Sequence, residues 1–89
     1  MFENIEFNNS AFKHGISKED ILWAFFHPRY DGPVEELESK YIRLGFDRSG
    51  NLLEIMYNEY DHMVNIFHAM KCRNIYHHLL NLQENSCQD

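Results

Sequence analysis

The spacing of hydrophobic residues changes along the 89-residue chain, and each change predicts a different element. In "NIEF" apolar and polar residues alternate, which predicts a short edge strand, and "NNSAFKHG" predicts one or two helical turns ending at Gly15. The stretch "ISKEDILWAFFHP" predicts a helix over 18–26. Ser17 and Asp20 have the spacing of a reciprocal N-terminal cap, and Pro28 cannot continue a helix.

The second half has the alternation of β-strands. Residues 27–39 hold both prolines, a glycine and three glutamates, and predict an irregular acidic loop. Residues 40–69 then alternate apolar and polar positions around turn residues and predict three antiparallel strands in sequence, with Gly50 in the first hairpin turn. From 71 to 82 the apolar residues recur with helical spacing, which predicts a closing helix that lies on the sheet.

These elements predict one α+β domain over residues 1–83, followed by a frayed tail over 84–89. The expected order is a short N-terminal strand, two helices, a three-stranded antiparallel meander and a C-terminal helix packed on the sheet. Apolar residues make up 44% of the chain and aromatic residues 15%, which is typical of a small packed globular domain.

Composition narrows the setting and the chemistry. The chain has no recognisable signal peptide and no apolar run long enough to span a bilayer, so we expect a cytoplasmic protein with no membrane partner. In a reduced compartment its two cysteines predict no disulfide. Their spacing does not fit a zinc site, and no cofactor or metal is expected.

Charge is distributed unevenly along the chain. The formal net charge of −6 argues against general attraction to nucleic acid. Residues 1–38 contain eight acidic and three basic residues, whereas residues 39–83 contain five basic and four acidic ones. The second half can therefore form a small basic patch.

Three blocks, "FKHGIS", "YIRLGFDRSGNLLEIMY" and "IFHAMKCRNIY", resemble in their order the BrnT group of bacterial toxins, over about residues 12–80. The resemblance implies a RelE-like fold and the toxin of a type II toxin-antitoxin system. Such toxins are ribonucleases that inhibit translation, and a cognate antitoxin neutralises them, typically one with a ribbon-helix-helix DNA-binding domain. The chain departs from BrnT at the strand-to-helix join, where His68, Met70 and Lys71 replace a small polar residue and an arginine-rich stretch.

Metal-independent RNA cleavage uses the 2′-hydroxyl as nucleophile, so the protein must supply a base, an acid and a cation that stabilises the phosphorane. The candidate catalytic residues are His68, Lys71, Arg73, Arg43 and His77. Imidazole suits proton transfer near neutral pH. The helix dipole disfavours positive charges at the start of a helix. Lys71 and Arg73 are therefore not placed there for helix stability, which points to a function for them.

Each candidate has a structural alternative. His68 alternates with Val64 and Ile66 and is expected to share their face of the sheet, as a structural histidine would. Arg43 is expected either to reach a phosphate or to pair with Glu54 on the neighbouring strand.

The sequence also gives expectations for His14, for Trp23 and for the adjacent pair His77 and His78. His14 is expected to cap the first helix, with a role in the site as the alternative. Trp23 is expected to be buried under its helix, although an exposed Trp23 could stack on a base. His77 and His78 are adjacent on a helix and cannot hold one metal together.

For the chain as a whole, the alternative to a ribonuclease is a non-catalytic protein-binding module of the same fold, which the excess of acidic residues favours.

Overall fold

The computed structural model describes residues 4–35 and 37–81, and within them five strands form one mixed sheet. The strands are β1 (Asn4–Phe7), β2 (Pro28–Pro33), β3 (Lys40–Phe46), β4 (Leu52–Tyr60) and β5 (Met63–Lys71), in the spatial order β1-β5-β4-β3-β2. Short 3₁₀ helices lie at Asn9–Phe12 and Asn74–Tyr76, the helix α1 spans Lys18–Phe26, and residues 78–81 are helical.

Local sequence signals account for α1 and for the hairpins of the second half. The Ser17 hydroxyl accepts the N–H of Asp20 at 3.2 Å, as its capping position predicts. The pairs β3–β4 and β4–β5 are antiparallel, and Gly50 has a φ of +86° in the β3–β4 turn. Asp47 closes that turn by accepting the N–H groups of Ser49 and Asn51 at 2.9 and 2.8 Å.

The predicted architecture, a three-stranded meander preceded by two helices, is wrong. The described sheet contains one strand that was not predicted, β2, which pairs antiparallel with β3. The short N-terminal strand was predicted, and as β1 it joins the same sheet by parallel pairing with β5. The expected acidic loop contains β2. Pro28 and Pro33 lack an N–H, yet both are tolerated because β2 lies at the edge of the sheet. The first predicted helix is only a 3₁₀ helix.

The predicted closing helix over 71–82 also begins too early. Strand β5 continues to Lys71, which pairs with Leu53, and the next N–H, that of Cys72, donates to the carbonyl of Leu52 at 2.9 Å. Leu82 and the predicted tail over 84–89 lie outside the described residues. No helix in the described part of the chain has the length and apolar character that crossing a membrane requires.

The two faces of the sheet carry separate apolar clusters. On the first, which we call the helix face, α1 and the first 3₁₀ helix cover the sheet; the buried residues there are Ala11, Ile21, Ala24, Phe25, Leu53, Ile55, Tyr57, Val64, Ile66 and Ala69. On the second, which we call the C-terminal face, Ile42, Leu44 and Met56 pack against residues that include Tyr76, Leu79 and Leu80. The C-terminal segment therefore covers the face opposite to α1.

A β-bulge in β5 decides which face His68 occupies. Tyr57 pairs with Ile66 but Met56 pairs with His68, so Phe67 is an extra residue in the ladder. Because side chains alternate along a strand, one extra residue moves every later side chain to the other face. His68 therefore lies on the C-terminal face with Met56, and the expectation that it shares a face with Val64 and Ile66 is wrong.

Candidate functional site

A carboxylate is buried on the C-terminal face at the centre of the sheet. Glu54 lies on β4 between Leu44 of β3 and Met70 of β5, and its side chain is 0% exposed. Burying a carboxylate among apolar side chains is costly unless charged or hydrogen-bonded partners compensate for the lost water. The partners of Glu54 therefore define the site.

Two side chains and one backbone group bind this carboxylate. His68 places Nε2 2.8 Å from Oε2 of Glu54. The Arg73 guanidinium donates from Nη2 to Oε2 at 2.7 Å, and from Nε to both oxygens at 3.2 and 3.1 Å. The backbone N–H of Arg73 donates to Oε1 at 2.9 Å. We call these three residues the Glu54 cluster.

The electrostatics of the cluster favour an ionised Glu54. Burial alone would raise the pKa of this carboxyl, but the hydrogen bonds from His68 and Arg73 and the charge of Arg73 outweigh that effect and lower the pKa to about 2. At neutral pH Glu54 is therefore a carboxylate, and a carboxylate only accepts hydrogen bonds.

This charge state assigns the proton of His68. Because Glu54 cannot donate, Nε2 of His68 carries the hydrogen of their shared bond, and in the neutral imidazole Nδ1 keeps its lone pair. A carboxylate that fixes the tautomer and orientation of an imidazole is the arrangement used by hydrolases with a His–Asp pair. The side chains of His68 and Arg73 are 19% and 46% exposed while that of Glu54 is 0% exposed, so an imidazole and a guanidinium reach solvent from a buried anion.

The structure brings together only part of the predicted site. His68 and Arg73 meet through Glu54, and His77 lies nearby with Nε2 3.3 Å from the carbonyl oxygen of Cys72. Lys71 is exposed and pairs with Leu53, whose side chain belongs to the helix face, so the register directs Lys71 away from His68.

Arg43 has a different role from either one expected for it. It lies on the helix face, 12% exposed, and donates to Oδ1 of Asp31 at 3.1 Å and to the carbonyl oxygen of Phe25 at 2.8 Å. The Tyr57 hydroxyl donates to the same Asp31 oxygen at 2.6 Å. Arg43 therefore ties the end of α1 to the sheet. Its expected pairing with Glu54 is wrong, because Glu54 lies on the opposite face.

The same contacts change the acidity of the Tyr57 phenol. Burial and the hydrogen bond to Asp31 both raise the pKa of Tyr57, against the opposing effect of the Arg43 charge. The hydroxyl therefore stays protonated and acts as a fixed donor that orients Asp31 toward the guanidinium. The three side chains therefore link β2, β3 and β4 on the helix face.

Sequence analysis missed Glu54 as a site residue. The signal for it was present, since a single acidic residue interrupts the apolar run "LLEIMY". A charge at a position that should be buried points either to a partner or to a function. The partners could not be named from the sequence, because they lie 14 and 19 residues away along the chain.

Two aromatic residues also lie where they were not expected. His14 places its ring edge-to-face against His68, with the ring centroids 5.6 Å apart and the planes at 77°, rather than at a helix end. Trp23 is 44% exposed, so the expectation that α1 buries it is wrong. The Trp23 ring stacks on His27 with the centroids 4.2 Å apart.

No group of three or more His, Cys, Asp or Glu side chains that could hold a metal ion occurs among residues 4–35 and 37–81. A comparison of the chain with protein-family models gives no match, and a comparison with curated proteins gives none either. The resemblance to the BrnT group therefore stays a prediction.

Proposed function

We propose that the chain is the toxin of a bacterial type II toxin-antitoxin system, and that it cleaves RNA without a metal at the Glu54 cluster. The observation that carries the proposal is a fully buried carboxylate that holds an imidazole and a guanidinium toward solvent. Stability alone does not call for this arrangement, because replacing a buried ion pair by apolar residues is often neutral or stabilising. Such clusters are concentrated at functional sites.

Each member of the cluster has a defined task in this chemistry. Nδ1 of His68 accepts the proton of the ribose 2′-hydroxyl, and the 2′-oxygen attacks the adjacent phosphorus. The exposed side of the Arg73 guanidinium stabilises the negative charge that develops on the phosphorane oxygens. Glu54 touches neither reacting atom and acts as a positioning residue for both side chains.

The order of the three sequence blocks supports the toxin assignment, which carries with it a cytoplasmic location and a cognate antitoxin. We expect an acidic segment of that antitoxin to cover the cationic end of β5, where Lys71 and Arg73 are exposed. Arg43 is not part of this surface, because it pairs with Asp31 on the helix face. A Lys71→Glu variant should bind the antitoxin more weakly while Lys13→Glu should not, and equal affinities would contradict the expected surface.

The test is cleavage of single-stranded RNA by the purified chain in the presence of a chelator. The intact chain should cleave, and its expression alone should arrest bacterial growth. His68→Ala and Arg73→Ala should remove both activities, whereas His78→Ala and Arg48→Ala, matched changes at exposed positions, should retain them. Full cleavage by His68→Ala, or no cleavage by the intact chain, would overturn the proposal.

A second candidate, a non-catalytic protein-binding module, is favoured by a different observation. Glu54 already pairs with the Arg73 guanidinium and accepts the Arg73 backbone N–H, so the cluster can equally have the structural role of binding the end of β5 to β4. The net charge of −6 also opposes RNA binding. Titration with single-stranded RNA at increasing salt separates the two: a ribonuclease loses affinity as salt rises, and a protein-binding module has no affinity at any salt.

A further inference from the structure

The Glu54 cluster contains a base and a cation but no group that protonates the leaving oxygen. Besides Glu54, His14 is a titratable side chain from another segment that contacts His68, with the ring centroids 5.6 Å apart. His14 is exposed, so a substrate can reach it. The sequence favours a capping role for His14 over a role in the site, but the first 3₁₀ helix ends before it, at Phe12.

A set of hydrogen bonds fastens the His14 segment to the bulge that orients His68. The hydroxyl of Ser10 donates to the carbonyl of Phe67, the bulge residue, at 2.6 Å. The N–H of Asn8 donates to the carbonyl of Ile66 at 2.9 Å, and the Asn8 side chain accepts the N–H of Ser10 at 3.1 Å. The bulge thus turns His68 to the C-terminal face and also anchors the segment that carries His14.

The turn around His14 is closed as well as anchored. Ala11, in the same 3₁₀ helix, is fully buried against the helix face. Gly15 donates its N–H to the carbonyl of Phe12 at 3.0 Å and has a φ of +83°, a conformation that glycine adopts without strain. His14 therefore lies in a turn that its own backbone hydrogen bond closes, directly after residues 8–11, which bind β5 and pack on the helix face.

We propose that His14 is the general acid of the RNA cleavage assigned above, paired with His68 as the base; the inference rests on that proposed function. His68 takes the 2′-hydroxyl proton as the 2′-oxygen forms a new bond to phosphorus. The bond from phosphorus to the 5′-oxygen breaks, its electron pair leaves with that oxygen, and the oxygen takes a proton from the His14 imidazolium. The products are a 2′,3′-cyclic phosphate and a free 5′-hydroxyl.

The geometry of the two rings is compatible with His68 as the base and His14 as the acid. Two rings in edge-to-face contact cannot hold a phosphate between them, but each can direct one nitrogen to a different oxygen of a phosphate bound beside the pair. His68 can use only Nδ1, because Nε2 is committed to Glu54. The charged groups that face the pair are Glu54 from β4 and, beyond it, Arg73 after β5, with Lys13 next to His14 in the chain.

Two substrates distinguish a general acid from a structural histidine. The first is an oligoribonucleotide, whose 5′-oxygen must be protonated as it leaves. The second is a uridine 3′-(4-nitrophenyl phosphate), whose leaving group departs as an anion without a proton. Initial rates on both are measured against pH for the intact chain, His14→Ala, His14→Gln and the exposed control His78→Ala, and circular dichroism shows whether each variant is folded.

We expect a bell-shaped pH profile for the intact chain on RNA. Both His14 variants should lose the alkaline limb and about 10²- to 10⁴-fold in rate on RNA, yet cleave the nitrophenyl ester as the intact chain does. His68→Ala should be slow on both substrates. If the folded His14 variants cleave RNA at the intact rate, or are equally slow on both substrates, the inference is overturned and the proposed function survives. If the intact chain cleaves neither substrate, both are overturned.

Discussion

Replacing Glu54 by glutamine removes the charge on which the cluster depends while keeping the shape of the side chain. The amide presents an N–H group toward His68 and Arg73, which are themselves donors, so at least one of the hydrogen bonds at 2.7–3.2 Å is lost. The variant therefore mimics the protonated form of Glu54.

The lowered pKa of Glu54 gives the expected size of the stability loss in Glu54→Gln. Its fall from 4.5 to about 2 means that the folded protein prefers the carboxylate over the neutral acid. At 1.36 kcal/mol per pKa unit, this preference corresponds to about 3 kcal/mol of folding free energy. We expect Glu54→Gln to lower the free energy of unfolding at neutral pH by about that amount.

The pH dependence gives the prediction a second, independent signature. A lowered pKa stabilises the fold fully above the unfolded value of 4.5, and the contribution is lost as the pH falls through 4.5 toward 2. The difference in stability between the intact chain and Glu54→Gln should therefore be constant above pH 4.5 and shrink toward zero as the pH approaches 2.

The assay is urea unfolding followed by circular dichroism at a series of pH values. Glu59→Gln is the matched control, because Glu59 lies on the same strand but is exposed, and it should change stability by less than about 0.5 kcal/mol. A loss for Glu54→Gln below about 1 kcal/mol, or one that persists unchanged at low pH, would refute the argument that the cluster holds an ionised Glu54.

Two further predictions concern the fold around the site. Arg43→Ala should lower the free energy of unfolding by about 2 to 3 kcal/mol, because it removes charged hydrogen bonds to Asp31 and to the Phe25 carbonyl. The folded fraction of the variant should cleave RNA as the intact chain does. Loss of cleavage without loss of stability would contradict the structural role of Arg43. Gly45→Ala should lower the free energy of unfolding by about 1 to 3 kcal/mol, because a Cβ at this position overlaps the carbonyl of Ala24 in α1. Thermal or urea unfolding measures the change. An unchanged stability would mean that α1 does not pack against Gly45 as closely as described.

Elements with strong local signals could be predicted from the sequence. Helix α1 has a capping serine and a proline after it. Strands β3 and β4 have alternating apolar residues on either side of the turn at Gly50, and β5 follows β4 after a short second turn. Strand β2 could not, because the prolines at its ends favour a loop and only its position beside β3 makes it a strand. The helix predicted from residue 71 failed because sheet pairing extended β5 over residues whose spacing also fits a helix.

The site was predicted less well than the strands, and register is the reason. His68 and Arg73 were found because imidazole and guanidinium suit the proposed chemistry wherever they lie. Glu54 was missed because a carboxylate on β4 meets them only through the pairing of β4 with β5 and the bulge at Phe67. A one-residue irregularity in a strand leaves no periodic signal in a sequence.

The parallel pairing of β1 with β5 sets when during synthesis the site can exist. Asn4–Phe7 leave the ribosome before the other four strands, whereas their partners Met63–Ile66 emerge more than fifty residues later. The pairs β2–β3, β3–β4 and β4–β5 each join strands that are neighbours along the chain, but β1 can pair only after β5 has been synthesised. Because the segment from β1 to His14 docks on β5, a nascent chain carries both histidines of the proposed pair beside each other only after His68 has left the ribosome.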